Sequence, residues 1–253
     1  MLLLIDIGNT NTTIGFHDNG EIRNILHFKT ISGGRNTEEY SYILEGVIST
    51  QKLRKPGGAA LCSVVPDVTP FITNALKKSF DLKPFIINHD VNTGLEFLVK
   101  NVTELGADRI ANAVAAYKRY KRDVIIIDFG TATTFCVVTE KGEYTGGAIM
   151  PGIALWAHAL AEKTAKLPVI SLRAPDSILG KNTRENIRSG VILGHAGAVE
   201  RIIHDISEET GKEYTVLATG GLADLVTPYI KRIDHINPLL TLEGLRLIHE
   251  MNS

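Results

Sequence analysis

Apolar and polar positions along the chain fall into two matching series. The first begins with the unbroken run Leu2-Leu3-Leu4-Ile5, which stops at Asp6 and Gly8 and passes into the polar stretch Asn9-Thr10-Asn11-Thr12-Thr13. Thr12 to Phe16 continues as a strand, Asp18-Asn19-Gly20 makes a turn, and Glu21 to Lys29 reads as the third strand of a meander. Asn36-Thr37-Glu38-Glu39 has capping-box spacing ahead of Tyr40, Ile43, Leu44, Val47 and Ile48, which recur at helical intervals. Ala59 to Val65 is a continuous apolar run, as expected of a strand covered on both faces, and Pro66 ends it. Thr69-Pro70 opens a second helix to about Phe80, and Phe85 to Ile87 forms a short strand.

The second series starts at Asp123. Val124-Ile125-Ile126-Ile127-Asp128-Phe129-Gly130-Thr131-Ala132-Thr133-Thr134 repeats the opening order of apolar strand, Asp, one apolar residue, Gly and a Thr-rich turn. Thr133 to Thr139 and Tyr144 to Met150, joined by the turn Glu140-Lys141-Gly142-Glu143, complete another meander. Pro151-Gly152 leads into a helix to about Lys166, and Asn182 with Glu185 caps a long helix that stops at Gly211. Tyr214 to Thr219 is a buried strand, followed by Gly220-Gly221, a helical segment, a short strand near Ile236 and a C-terminal helix. Each half therefore reads three strands, helix, strand, helix, strand. This order predicts an α/β fold of two similar domains, residues 1–122 and 123–253, each a mixed β-sheet flanked by helices, with an interdomain cleft.

Composition narrows the picture. With 253 residues, 44% apolar and 22% charged, the chain can bury a substantial core, and its net charge of −1 gives no pull toward nucleic acid or an anionic membrane. The apolar start has no basic flank and meets Asp6 too early for a signal peptide, and no run approaches the roughly 18 apolar residues of a membrane span. Cys62 and Cys136 lie in apolar runs, so both are expected to be buried free thiols of a cytoplasmic protein. The eight histidines show no metal-ligand spacing and read as surface or satisfied core residues; Trp156 reads as packing.

Chemistry concentrates in the two Asp-Gly-Thr loops. Gly8 and Gly130 let the backbone turn close to a partner, the Asn and Thr residues offer groups for phosphate oxygens, and Asp6 and Asp128 can hold cations that offset phosphate charge. The same residues also suit ordinary strand-end turns. Gly180-Lys181-Asn182-Thr183 only superficially matches the end of a P-loop, since Pro175 and Asn182 break the pattern, and no G-x-G-x-x-G opens a helix.

Asp6-Ile7-Gly8-Asn9-Thr10, Gly106-Ala107-Asp108-Arg109 and Asp128-Phe129-Gly130-Thr131-Ala132-Thr133 together resemble the type III pantothenate kinases. Gly146-Gly147-Ala148-Ile149-Met150-Pro151-Gly152, Gly180 to Thr183 and Gly220-Gly221 also look like that family's motifs, in order over nearly the whole chain. The resemblance implies the duplicated ribonuclease H-like (actin-like ATPase) fold of the acetate and sugar kinase, heat-shock and actin superfamily. It also implies ATP-dependent phosphorylation of pantothenate, the first step of coenzyme A synthesis, with Asp108 as base. Asp6, Ile7, Gly8, Asn9, Thr10, Asn11, Thr12, Thr13 and Thr131 would be ATP contacts, and Gly106, Ala107, Asp108, Arg109 and Thr183 substrate contacts. Magnesium would accompany ATP at Asp6, a monovalent cation (potassium or ammonium) would sit at Asp128, and the protein would be a homodimer.

The residues themselves leave alternatives. Asp108 also suits a plain acid at a helix start, Arg109 can meet the substrate or pair with Asp108, and Thr183 can simply begin a helix. The Gly146-Gly147 and Gly220-Gly221 pairs bring backbone near substrate and adenosine, or form strand-end turns. Val99 and Val102 stand where many members of the family have Tyr and Pro, which leaves the shape of the pantothenate pocket open. The competing functions are a kinase of another small substrate and a non-catalytic accessory transcription regulator that retains the fold.

Overall fold

The computed structural model, which describes residues 1–253, opens with three antiparallel strands: β1 (Leu2–Ile7), β2 (Asn11–Asp18) and β3 (Glu21–Lys29). Helix α1 (Thr37–Thr50), strand β4 (Gly58–Ser63), helix α2 (Thr69–Phe80) and strand β5 (Phe85–Ile86) follow. The sheet order is β3-β2-β1-β4-β5, with β4 parallel to both β1 and β5. Asn36 begins α1 with a complete capping box: its side chain accepts from the Glu39 N–H at 3.0 Å, and the Glu39 carboxylate accepts the Asn36 N–H at 2.9 Å.

Two-residue strand β6 (Glu96–Phe97) and helix α3 (Ala107–Tyr120) lead to the second series: β7 (Val124–Phe129), β8 (Ala132–Val138), β9 (Glu143–Pro151), α4 (Ile153–Glu162), α5 (Thr183–Thr210), β10 (Thr215–Thr219), the single turn α6 (Ala223–Val226), β11 (His235–Ile236) and α7 (Leu240–Met251). Its sheet order, β11-β10-β7-β8-β9-β6, repeats the first sheet strand for strand, with β6 added parallel to β9 at one edge. The repeat predicted from the two Asp-Gly-Thr loops is thus a repeat of topology.

Contacts divide the chain into two compact units, Met1–Leu95 with Val99–Ala115 and Leu239–Ser253, and Glu96–Leu98 with Ala116–Pro238. The sequence reading divides it after Arg122; the contact division falls inside α3 and assigns α7 to the first unit. Burial explains that assignment. Leu242, Leu245 and Ile248 of α7 are buried, α7 packs on β1 and β4, and the Leu242 side chain fills the space above Gly15. Gly244 lies so close to the backbone of Ala111 that a Cβ there would overlap it, and the Thr241 hydroxyl donates to Asn112 Oδ1 at 2.8 Å.

In the first unit Leu3, Ile5 and Ile7 of β1 pack with Tyr40, Leu44, Ile72 and Leu76 of α1 and α2. In the second, Ile125, Ile127 and Phe129 of β7 pack with Ile153 of α4 and Ile187, Val191 and Val199 of α5.

Several element ends differ from the sequence reading. Strand β4 stops at Ser63 because the Ser63 hydroxyl accepts the Val65 N–H at 3.0 Å and turns the chain. Helix α4 ends at Glu162 rather than Lys166; the Thr164 hydroxyl donates to the Leu160 carbonyl at 2.7 Å, and Pro168 cannot continue a helix. Gly146-Gly147 lies inside β9 at an irregularity opposite Val137 and Val138, and is not a strand-end turn. At α5, Asn182 accepts from the Glu185 N–H at 3.0 Å, but the Glu185 carboxylate bonds the Lys181 N–H at 2.7 Å, one residue before the cap.

Candidate active site

In the first unit Asp6 stands at the penultimate position of β1, between Thr13 of β2 and Cys62 of β4. The chain leaves the strand through a turn closed by the Gly8 N–H, which donates to the Asn11 carbonyl at 3.0 Å. A Cβ on Gly8 would sit 3.0 Å from that oxygen, so the turn is tight enough to favour glycine. Asn9, Thr10 and Asn11 are exposed at its tip. Two members of the predicted contact set are enclosed: Ile7 is fully buried, and the buried Thr12 hydroxyl bonds Thr30 Oγ1 at 2.8 Å, so each can offer only backbone.

Cys62 is fully buried and its thiol donates to Asp6 Oδ1 at 3.2 Å. Burial pushes that thiol well up, and the negative charges of Asp6 and then Asp108 push it the same way, so it stays a protonated donor. Asp6 and Asp108 thus act on a common neighbour within one unit.

Asp108 occupies the first turn of α3, where a carboxylate is favoured by the exposed N–H groups of the helix start. Its Oδ1 accepts the Arg109 N–H at 2.8 Å. A Cβ on Gly106 would lie 2.5 Å from the same oxygen, which gives the glycine two residues ahead of the acid a steric reason. Burial raises the Asp108 carboxyl above the ordinary range, opposed by the Arg109 N–H and then by the Arg109 charge. A raised carboxylate is a better proton acceptor than an ordinary surface Asp.

The second unit repeats the first loop with a shorter turn. Asp128 sits in β7 between Thr134 of β8 and Thr219 of β10, and the Gly130 N–H donates to the Ala132 carbonyl at 3.2 Å. Gly220, from a pair expected near adenosine, and Gly152, expected only to lead into a helix, both pack directly on this turn. Gly220 has φ +94, and a Cβ there would overlap Asp128 Oδ1 and lie 2.6 Å from the Phe129 nitrogen. Gly152 donates its N–H to the Thr131 carbonyl at 3.0 Å, and a Cβ there would overlap the Gly130 and Thr131 carbonyls. Thr183 is the exposed first residue of α5.

No group of three His, Cys, Asp or Glu side chains is placed to hold a metal ion. The donors fit the two expected cations nonetheless. Magnesium is commonly held by one or two carboxylates together with substrate phosphates, which Asp6 alone can satisfy. Asp128, with Gly220 packed against it, offers carboxylate oxygen, the donor type hard cations take.

His195 belongs to the histidines expected to be surface or satisfied core residues, and it is buried with only one ring nitrogen bonded. It lies in α5 with no exposed surface, its Nε2 is 3.0 Å from the Thr133 hydroxyl, and its ring meets Trp156 edge-on and lies beside Phe129. Nδ1 has no partner. A neutral imidazole donating from Nε2 leaves only an acceptor unpaired, whereas the charged form would bury an unpaired N–H. Burial accordingly lowers its pKa from 6.5 to about 4. The unfolded chain binds this proton first as pH falls, so stability drops between pH 6.5 and 4. Relative to His195→Gln, the wild type is expected to lose about 2 kcal/mol more between pH 7 and 4.5, measured by denaturant unfolding. Parallel losses in both proteins would show that His195 is not the group responsible.

The family model for type III pantothenate kinase matches residues 2–205. A type III pantothenate kinase of Moorella thermoacetica is 43% identical over 256 residues, covering 100% of each chain. One from a Roseiflexus species is 44% identical over 255 residues, covering 100% of this chain and 99% of its own. Among solved structures, a Campylobacter jejuni protein described as a Baf family transcriptional activator has a TM-score of 0.61 at 20% identity, covering 99% of this chain and 98% of its own. A ROK family glucokinase of Streptomyces griseus has a TM-score of 0.51 at 12% identity, covering 98% and 99%. These structures share the fold, duplicated ribonuclease H-like domains of the actin-like ATPase type.

Proposed function

Because the chain belongs to the type III pantothenate kinase family, we propose that Asp108 is the base that accepts the proton of the pantothenate primary hydroxyl as it attacks the γ-phosphate of ATP. The reaction is ATP-dependent phosphorylation of pantothenate to 4′-phosphopantothenate, the first step of coenzyme A biosynthesis. The observation that carries the base assignment is the Asp108 carboxyl, raised by burial and held at the start of α3 against Gly106. Phosphoryl transfer asks mainly for alignment and for charge placed around the phosphates.

In this reading Asp6 and the turn from Ile7 to Thr13 meet the ATP phosphates, joined by Thr131, while Gly106 to Arg109 and Thr183 orient pantothenate. ATP is used with a divalent metal, as in kinases of this fold. We assign that metal as magnesium, near Asp6, and a potassium or ammonium ion to Asp128. When bound, these cations offset the phosphate charge. The chain's own contribution is to fix the nucleotide through backbone N–H groups, to orient the hydroxyl, and to receive its proton at an Asp108 oxygen.

Purified protein is expected to make phosphopantothenate from ATP, magnesium and pantothenate, several-fold faster with potassium than with sodium. No product in either salt would sink the reaction, and equal rates would sink the cation assignment alone.

A homodimer is supported by Ile149, Leu155 and Leu160, large apolar side chains exposed on β9 and α4 of the second unit. Sedimentation equilibrium is expected to give twice the 27.6 kDa chain mass. A monomer at micromolar concentration would refute this. Two buried free thiols support a reducing, cytoplasmic setting, and no helix is long and apolar enough to cross a membrane.

A further inference from the structure

We propose that the second unit carries a separate binding site for a small carboxylate, held by the guanidinium of Arg188 in a cavity of about 190 Å³. This does not rest on the kinase reading. Arg188 lies in the second turn of α5, is only 7% exposed, and lines the cavity. Its Nε has no hydrogen-bond partner and is closed off from the surface, so a ligand in the cavity reaches the guanidinium through its terminal nitrogens. A guanidinium is rarely buried this deeply unless an acceptor meets it, because removing the charge from water is costly without a partner.

The neighbouring acids do not fill that role. Glu185 lies near enough to feel the Arg188 charge, yet its Oε2 accepts the Lys181 N–H and its Oε1 accepts the Asn182 amide, each at 2.7 Å. Asp176 is paired across 4.0 Å with Arg173 and is largely exposed. The acceptor for Arg188 is therefore to come from a ligand.

The walls indicate its class. A guanidinium presents a planar fork that matches a carboxylate or phosphate with two parallel hydrogen bonds. Pro175 and Leu179 form apolar wall beside it, which suits a short aliphatic stem and favours a carboxylate over free phosphate. The wall is fixed to the helix: a Cβ on Gly180 would lie 2.5 Å from both the nitrogen and Oδ1 of Asn186, and Arg184 Nη1 donates to the Val169 carbonyl at 2.8 Å. The site is also distinct from the one Thr183 would serve. At 3.6 residues per turn, positions 183 and 188 point about 140° apart around the helix.

The test uses the full ¹⁵N-labelled chain, with the Arg188 Nε–Hε resonance identified by its loss in Arg188→Gln. Sodium propionate is expected to move that resonance saturably in the millimolar range, more tightly than sodium phosphate, while sodium chloride does not. Arg188→Lys, which keeps the charge and loses the fork, is expected to weaken propionate binding at least several-fold, read by calorimetry. A linear response equal to that of chloride would overturn the site, as would unchanged affinity in the lysine variant. Tighter binding of phosphate would overturn the carboxylate class. A resonance that moves with protein concentration and ignores propionate would show that a second copy of the chain supplies the acceptor.

Discussion

Asp108→Asn is expected to lower kcat by about 10²–10⁴-fold while leaving the KM for ATP nearly unchanged. The substitution is isosteric, so the space left by Gly106 and the bond to the Arg109 N–H remain available to the amide oxygen. What disappears is the ability to take a proton. Because burial raises the Asp108 carboxyl, the wild-type rate should fall on the acid side at a pH above that of an ordinary Asp, and the variant should lack that limb.

Stability should move the other way. A folded-state pKa raised above the unfolded value means that the native state holds the proton more tightly, so stability falls as pH rises from the unfolded to the folded pKa. Above that window the ionised acid is a net cost, and the Asn variant is expected to be more stable than wild type at pH 7. A plain helix-start acid would give the opposite pair of results: full turnover, and a loss of about 0.3–1 kcal/mol from the dipole interaction. Steady-state kinetics and denaturant unfolding on one preparation separate the two.

The features legible in the sequence were those that a local pattern forces. Asp6 and Asp128 each follow an unbroken apolar run and precede a glycine, and those runs became the central strands β1 and β7 of the two sheets. The start and stop of α5 could be read because Asn182 and Gly211 are capping residues with short-range chemistry. Strand β6 left no trace, since two residues, Glu96 and Phe97, cannot show an alternation. The assignment of α7 to the first unit was also invisible. Its apolar stripe predicts a buried face, but which sheet it covers depends on contacts such as Gly244 against Ala111, more than a hundred residues apart.

The candidate site shows the same division. Gly106 and Asp108 are close in sequence, so their steric relation follows from a short motif. His195 and Thr133 meet through the fold alone, and nothing near either residue signals the other. Arg188 looks like one more charge on a helix until its burial is known. Gly220 was visible as a turn, but its reason for being glycine lies across the sheet in Asp128.

That last contact supports the second large effect. Gly220→Ala is expected to destabilise the protein by about 1–3 kcal/mol, since alanine is strained at φ +94. It should also displace the carboxylate that the added Cβ would overlap, because the backbone of Phe129, 2.6 and 2.7 Å away, cannot yield as a flexible side chain would. If Asp128 holds the monovalent cation, half-activation should then need several-fold more potassium, with the KM for pantothenate changed less. Gly221→Ala is the internal control: a Cβ there meets nothing within 4 Å, and its backbone does not require glycine. That variant should keep wild-type stability and potassium response. Gly220→Ala protein that melts early yet is activated at the wild-type potassium concentration would confine Gly220 to packing and remove its support for the cation at Asp128.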